Sequence, residues 1–178
     1  MTIINKSLDN KTDILVVEDP ALVFNRMRSK IVESLGQKGL ILEVNVGMNG
    51  SLISYDPMKN NLVYAGAYNT IYLIRDDQII ELRGDRMPLS HHLIMKDFSP
   101  HEVKIRKNDC VYLFTDGYMD QFGGQMLKKF GYKRFRDLLL KIHKRPFELQ
   151  KMALLDEFTI WREHEDQVDD FTIVGLKL

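Results

Sequence analysis

The stretch Val111–Gly124, VYLFTDGYMDQFGG, decides how the rest of the chain is read. An apolar run that begins at Cys110 stops abruptly on Thr115-Asp116-Gly117, a second acid follows at Asp120, and the segment closes on Gly123-Gly124. A run that is apolar at every position, rather than alternating, is the pattern of a strand covered on both faces. Asp116 therefore stands at the end of a buried strand, where an acid either caps a turn or holds something.

A second strand end carries acids as well. The closing run FTIVGLKL, residues 171–178, begins immediately after Val168-Asp169-Asp170. If the two runs are antiparallel neighbours, the end of the first and the start of the second lie at one sheet edge and their carboxylates converge. Aspartates brought together repel one another unless a cation sits between them. All-oxygen ligation selects a hard ion, Mg2+ or Mn2+, and phosphate chemistry is the chemistry that most often needs one. The other reading stays open at this point, because Asp-Gly is a common turn and Asp-Asp a common loop.

Bulk properties narrow the field. At 178 residues, with 44% hydrophobic and 28% charged residues, the chain has the size and composition of one globular domain. Twenty-five basic and 25 acidic residues cancel, so no bulk charge draws the chain to nucleic acid or to an anionic membrane. The single cysteine, Cys110, sits in an apolar run and is read as buried packing; one cysteine excludes an internal disulfide framework and suits a reducing compartment. The opening MTIINKSLDNK lacks a basic region followed by an apolar core, and no run approaches the roughly 20 apolar residues of a membrane span. A cytoplasmic location is expected, with no membrane segment in this chain.

Periodicity gives the organisation. Asp19-Pro20 opens a helix as N-cap and first-turn proline, with Phe24, Met27, Ile31 and Leu35 on one face and Gly36 and Gly39 at its end. From Leu40 to Thr115 short runs rich in Val, Ile and Tyr predict an antiparallel meander: ILEVNV, SLISY, LVYAGA, TIYLI, QIIEL, EVKI and CVYLFT. Two apolar stripes then predict helices, one through Tyr132, Phe135, Leu139 and Ile142, the next through Phe147, Leu154, Phe158 and Trp161.

TDGYMDQFGG at 115–124, EDQVDDFTIVGLK at 165–177, LVYAGAYNTIYLIR at 62–75 and GDRMPLS at 84–90 occur in an order and spacing that resemble the metal-dependent serine/threonine phosphatases of the protein phosphatase 2C type. Within that group the chain looks most similar to the SpoIIE branch, the output domain of many bacterial sensor regulators. The resemblance covers essentially the whole chain. It implies an α+β fold, an α-β-β-α sandwich of antiparallel sheets flanked by helices, with Mn2+ or Mg2+ at one edge. It also implies a metal-activated water that attacks phosphorus in line. Matched residue by residue, Asp116 and Asp169 would be metal ligands, Asp170 a further contributor, and Gly117 the residue that lets the backbone pass close to the site. The implied substrate is phosphoserine or phosphothreonine on a regulatory protein, an anti-sigma-factor antagonist being one candidate, with a sensor domain upstream in the full-length protein.

Departures from the family pattern sharpen the expectation. The Asp-x-(Ser/Thr)-Gly-His-Gly segment that carries the family's bridging aspartate is not found, and TIINKSLDNK resembles the stretch just after it, within or at the end of the first helix. Residues 1–178 are therefore expected to form a SpoIIE-like phosphatase domain without its opening strands and first metal motif, weak or inactive by itself. Val46 and Asn49 stand where the branch often has acids, and Ser90 replaces a frequent glycine. A non-catalytic phosphatase-like interaction module is the alternative, and a homodimer that covers exposed sheet edges is a third expectation. His91-His92 is read as an exposed loop, and Lys128-Lys129 and Lys133-Arg134 as a solvated helix face, with contact to a phosphoprotein as the other option.

Overall fold

The computed structural model describes residues 2–7, 18–37, 47–93 and 95–178. In chain order the elements are β1 (Thr2–Ser7), α1 (Pro20–Ser34), β2 (Gly50–Asp56), β3 (Asn61–Ala67), β4 (Thr70–Arg75), β5 (Gln78–Arg83), β6 (His101–Lys104) and β7 (Cys110–Phe114). Then come the short α2 (Gly117–Asp120), the two-residue strands β8 (Phe122–Gly123) and β9 (Lys128–Lys129), α3 (Gly131–Ile142), α4 (Phe147–Arg162) and β10 (Thr172–Lys177). Six of the seven runs expected as strands form strands; ILEVNV and Val46 lie outside the described residues.

The strands do not form one meander. They sort into a five-stranded sheet, order β1-β10-β7-β4-β5, and a three-stranded sheet, order β2-β3-β6. The opening segment also differs from the expectation of a helix: Thr2–Ser7 is a strand, in register with Thr172–Lys177 of β10 and parallel to it. The larger sheet is thus mixed rather than wholly antiparallel. A segment that continues a sheet edge gains a row of backbone hydrogen bonds, which decides its conformation where local periodicity is weak.

The chain divides into two compact units. The first holds residues 1–8, 72–80 and 108–178. Its core packs Tyr72, Ile74, Tyr112 and Phe114 of the sheet against Phe135, Leu139 and Ile142 of α3 and Leu154 and Phe158 of α4. Tyr118 of α2 sits at its centre, with ring centroids 5.0–5.3 Å from Phe130, Phe135, Phe158 and Phe171, and its hydroxyl donates to the Leu154 carbonyl at 2.7 Å. Such ring pairs add about 0.5–1.5 kcal/mol each beyond the burial of area. Gly117, Tyr118 and Met119 are all buried, so this four-residue helix is anchored by its side chains, although it is too short to be stable alone.

A tight turn joins β4 to β5. Asp76 and Asp77 take φ of 49° and 60°, the paired left-handed conformation of a tight two-residue hairpin. Beside them Lys144 and the buried His143 hold the Asp77 carboxylate. The expectation that Cys110 is packing is met: it is buried, and burial pushes its thiol up.

The second unit holds residues 9–71 and 81–107. Asp19 caps α1 by accepting the Ala21 N–H at 2.9 Å, and Gly36 ends the helix at φ 60°. The buried face of α1 runs through Ala21, Phe24 and Arg28, with Met27 and Ile31 partly buried, whereas Leu35 is exposed. Arg28 lies over the Phe98 ring and donates to the Lys96 carbonyl at 2.7 Å. A guanidinium can be buried when its stem packs and its head is hydrogen-bonded, which apolar periodicity cannot foresee.

Candidate functional site

The site is built by the pairing of β7 with β10. The strands are antiparallel, with Phe114 opposite Ile173 and Leu113 opposite Val174. The ladder continues one pair further: the Thr115 N–H donates to the Thr172 carbonyl at 3.0 Å, and the Thr172 N–H donates to Thr115 Oγ1 at 3.0 Å. The chain therefore leaves β7 at Asp116 and enters β10 from Asp169-Asp170 at one edge of the sheet.

Between these segments the backbones nearly touch. A Cβ on Gly117 would lie 2.4 Å from the Asp170 carbonyl oxygen and 3.4 Å from Asp169 Cβ. A methyl group cannot fit at 2.4 Å, so the glycine is required by the approach of the two aspartate-bearing segments. Asp116 takes the N-cap position of α2, but its side chain makes no capping hydrogen bond. The turn-cap reading is thereby removed, since an Asp that caps accepts an N–H from the first turn.

The carboxylates are set apart electrostatically. Asp116, Asp169 and Asp170 are all exposed, and among the described residues none of them pairs with a Lys, Arg or His. Asp169 accepts the Asp170 N–H through Oδ1 at 2.7 Å, and its carbonyl accepts from Gln167 Nε2 at 2.8 Å. Asp120, one helical turn beyond Asp116, is bound by Lys129 at 3.0 Å. Burial, and then the charges of Asp116 and Asp120, push the Tyr132 hydroxyl up, which places that ring in their field.

Gln121 is the residue that sequence reading passed over. It is completely buried. Its Nε2 donates to the Phe122 and Asp166 carbonyls, both at 2.9 Å, and its Oε1 accepts the Val168 N–H at 3.2 Å. Its own carbonyl accepts from Phe130 N–H at 2.8 Å and Trp161 Nε1–H at 3.1 Å. Nothing in the sequence separates this amide from a solvated one; only an acid before it and a glycine pair after it mark the place.

The edge fits a hard divalent cation in kind, because exposed carboxylates stand on both of the segments that meet there. It does not offer a complete cage: among the described residues no group of three His, Cys, Asp or Glu side chains is arranged to hold a metal ion. His91 and His92 are half-buried and belong to no such group; His92 instead meets the Tyr68 hydroxyl at 3.3 Å.

Residues 2–178 match the family model of the stage II sporulation protein E, SpoIIE. The chain belongs to that family, the bacterial branch of the protein phosphatase 2C type phosphatases. Among solved structures it is similar to the SiaA-PP2C domain of Pseudomonas aeruginosa, with TM-score 0.80 and 26% identity over 90% of this chain and 61% of that one. It shares the fold of the SpoIIE phosphatase domain of Bacillus subtilis, with TM-score 0.55 and 12% identity over 96% and 78% of the two chains. The same holds for RsbX in complex with magnesium, with TM-score 0.60 and 13% identity over 90% and 66%. This chain therefore spans under two thirds of the SiaA domain's length. No curated protein matches. Among the described residues no helix is long and apolar enough to cross a membrane.

Proposed function

We propose that this is a metal-dependent serine/threonine phosphatase domain of bacterial signalling, acting on a phosphorylated regulatory protein, with Asp116 and Asp169 holding Mn2+ or Mg2+ and Asp170 contributing. The observation that carries the reading is the β7–β10 pairing, which brings uncompensated carboxylates to one sheet edge across Gly117. When bound, the ion lowers the pKa of a water and neutralises charge on the phosphoryl oxygens. The chain's part is to keep Asp116 fixed on a helix anchored by Tyr118, to hold Asp169 against it, and to leave the edge open to solvent.

Charge around the edge suits a phosphoprotein. Residues 128–141 carry Lys128, Lys129, Lys133, Arg134 and Lys141 on the surface against the single acid Asp137. Lys129 reaches Asp120 beside the site, so this basic fringe meets the carboxylate edge and attracts an anionic substrate that the aspartates alone would repel. The α-β-β-α sandwich, an upstream sensor domain, a cytoplasmic setting and an anti-sigma-factor antagonist as substrate belong to the same proposal by family likeness.

Residues 1–178 alone are expected to turn over weakly, because Mg2+ prefers near-octahedral oxygen ligation and two or three exposed aspartates supply it poorly. The missing third ligand among the described residues also favours a second reading, a non-catalytic interaction module. Calorimetric titration of Mn2+ into the wild type, Asp116→Asn and Asp169→Asn decides between them. Binding in the wild type that disappears in both variants is the expected result. No binding at millimolar Mn2+ would give the interaction module instead.

A further inference from the structure

Resting on that reading, we propose that Gln121 is a positioning residue, whose side-chain amide sets where Asp169 lies relative to Asp116. Segments 115–121 and 168–172 are joined at both ends. At one end the Thr115–Thr172 pair is the last rung of the sheet, and at the other Gln121 Oε1 holds the Val168 N–H. Gly117 and Asp170 are in contact between the two. The aspartate pair therefore lies on a short span fixed at each end to the segment that carries Asp116.

The hold at Gln121 comes from a side chain rather than from the sheet. Three of the four hydrogen-bonding positions of its amide are used, both donors on carbonyls and the oxygen on an N–H, which also fixes which end is oxygen. The backbone of Gln121 is itself held by Trp161 and Phe130. A fully buried amide is retained against its desolvation cost only while those bonds are made. Without them, Asp166 and Val168 lose their attachment to the end of α2, and Asp169 is held only by the chain on either side and by the close approach of Gly117. Partners that orient metal ligands typically change affinity by about 10- to 100-fold when removed.

The test compares Gln121→Met, which keeps the volume and loses the hydrogen bonds, with Gln121→Ala, which loses both, and with Leu139→Ala, which loosens the same core and makes no bond to Gln121. Mn2+ affinity and amide hydrogen exchange at residues 167–170 are measured for each, beside thermal stability. The proposal expects about tenfold weaker Mn2+ binding and faster exchange at 167–170 in both Gln121 variants, although Ala loses more stability than Met. Leu139→Ala should lose stability and keep its affinity. Wild-type affinity and exchange in Gln121→Met would overturn the proposal, as would an affinity that merely follows stability across all three. Should the wild type fail to bind Mn2+, the metal reading falls, and the exchange rates alone decide whether Gln121 fixes the aspartate span.

Discussion

Asp109 and Asp116 flank the same strand, β7, one residue before it and two residues after it, and the fold treats them oppositely. Asp109 is 2% exposed and takes two hydrogen bonds from Arg75, from Nε at 3.1 Å and from Nη2 at 2.6 Å. The backbone there is also closed, with the Leu178 N–H donating to the Asp109 carbonyl at 3.0 Å. Asp116 is exposed and meets no cation among the described residues. An acid placed for structure is buried with its countercharge, whereas an acid left for chemistry is held in place by its backbone and keeps its charge for something that arrives.

The comparison breaks most visibly at Arg75. Its guanidinium holds its proton more tightly because of the hydrogen bonds to Asp109, and its side chain is only 15% exposed. Arg75→Met leaves Asp109 charged, buried and short of its main partner, which costs about 3 kcal/mol. For a chain of this size that is a fall in Tm of roughly 6 to 12 °C. Denaturant unfolding measures it, and a loss under about 1 kcal/mol would mean that the pair is not the structural element described here.

How much of this was legible in the sequence follows from the same contrast. The strand end at Asp116, the acids before β10 and their antiparallel approach could be read because apolar runs stop sharply and the acids break them. Asp109 could be read only as a turn residue, since its partner Arg75 is 34 positions away and no local pattern joins them. Gln121 and Arg28 were invisible for a related reason: a buried polar side chain is chosen by the carbonyls it meets in the folded chain, not by its neighbours in sequence. The opening strand was misread as the end of a helix because its pairing with β10 lies at the far end of the chain. Two sheets were expected from the family resemblance, but which strand joins which sheet was not legible, because hairpin order says which strands are consecutive but not which are adjacent.

Asp85, in the second unit, sharpens the contrast with a third arrangement. Its side chain is 7% exposed, Lys96 meets it at 2.7 Å, and the Ser99 N–H donates to it at 2.7 Å. Burial raises its carboxyl, but the Lys96 and Ser99 hydrogen bonds outweigh this and hold it below the usual carboxylate range. A depressed folded-state pKa contributes stability that is present above the unfolded value, about 3.9, and is lost as pH falls through the folded one. Asp85→Asn should therefore lose less stability than the wild type between pH 5 and pH 2, these bounds being roughly the acid window for such a group. Asp56 and Asp77, lowered in the same direction, remain in both proteins and cancel in the difference. Identical acid limbs in urea titrations would remove Asp85 from the list of structural acids.

The smallest effect is expected at Asp116 itself, and its sign carries the information. If Asp116 were structural, Asp116→Asn would destabilise. If it belongs to a group of exposed carboxylates with no countercharge, neutralising it relieves repulsion from Asp169 and Asp170, and the protein gains stability when no metal is present. The gain should be no more than about 0.5 kcal/mol, since exposed charges interact through water. It should be visible at low ionic strength and shrink in salt, where the screening length falls to a few ångströms. Urea unfolding in a chelator at low and high NaCl gives both numbers. A salt-insensitive loss of stability would show that Asp116 has a fixed partner after all, and the edge between β7 and β10 would then have no charge to spare for an ion.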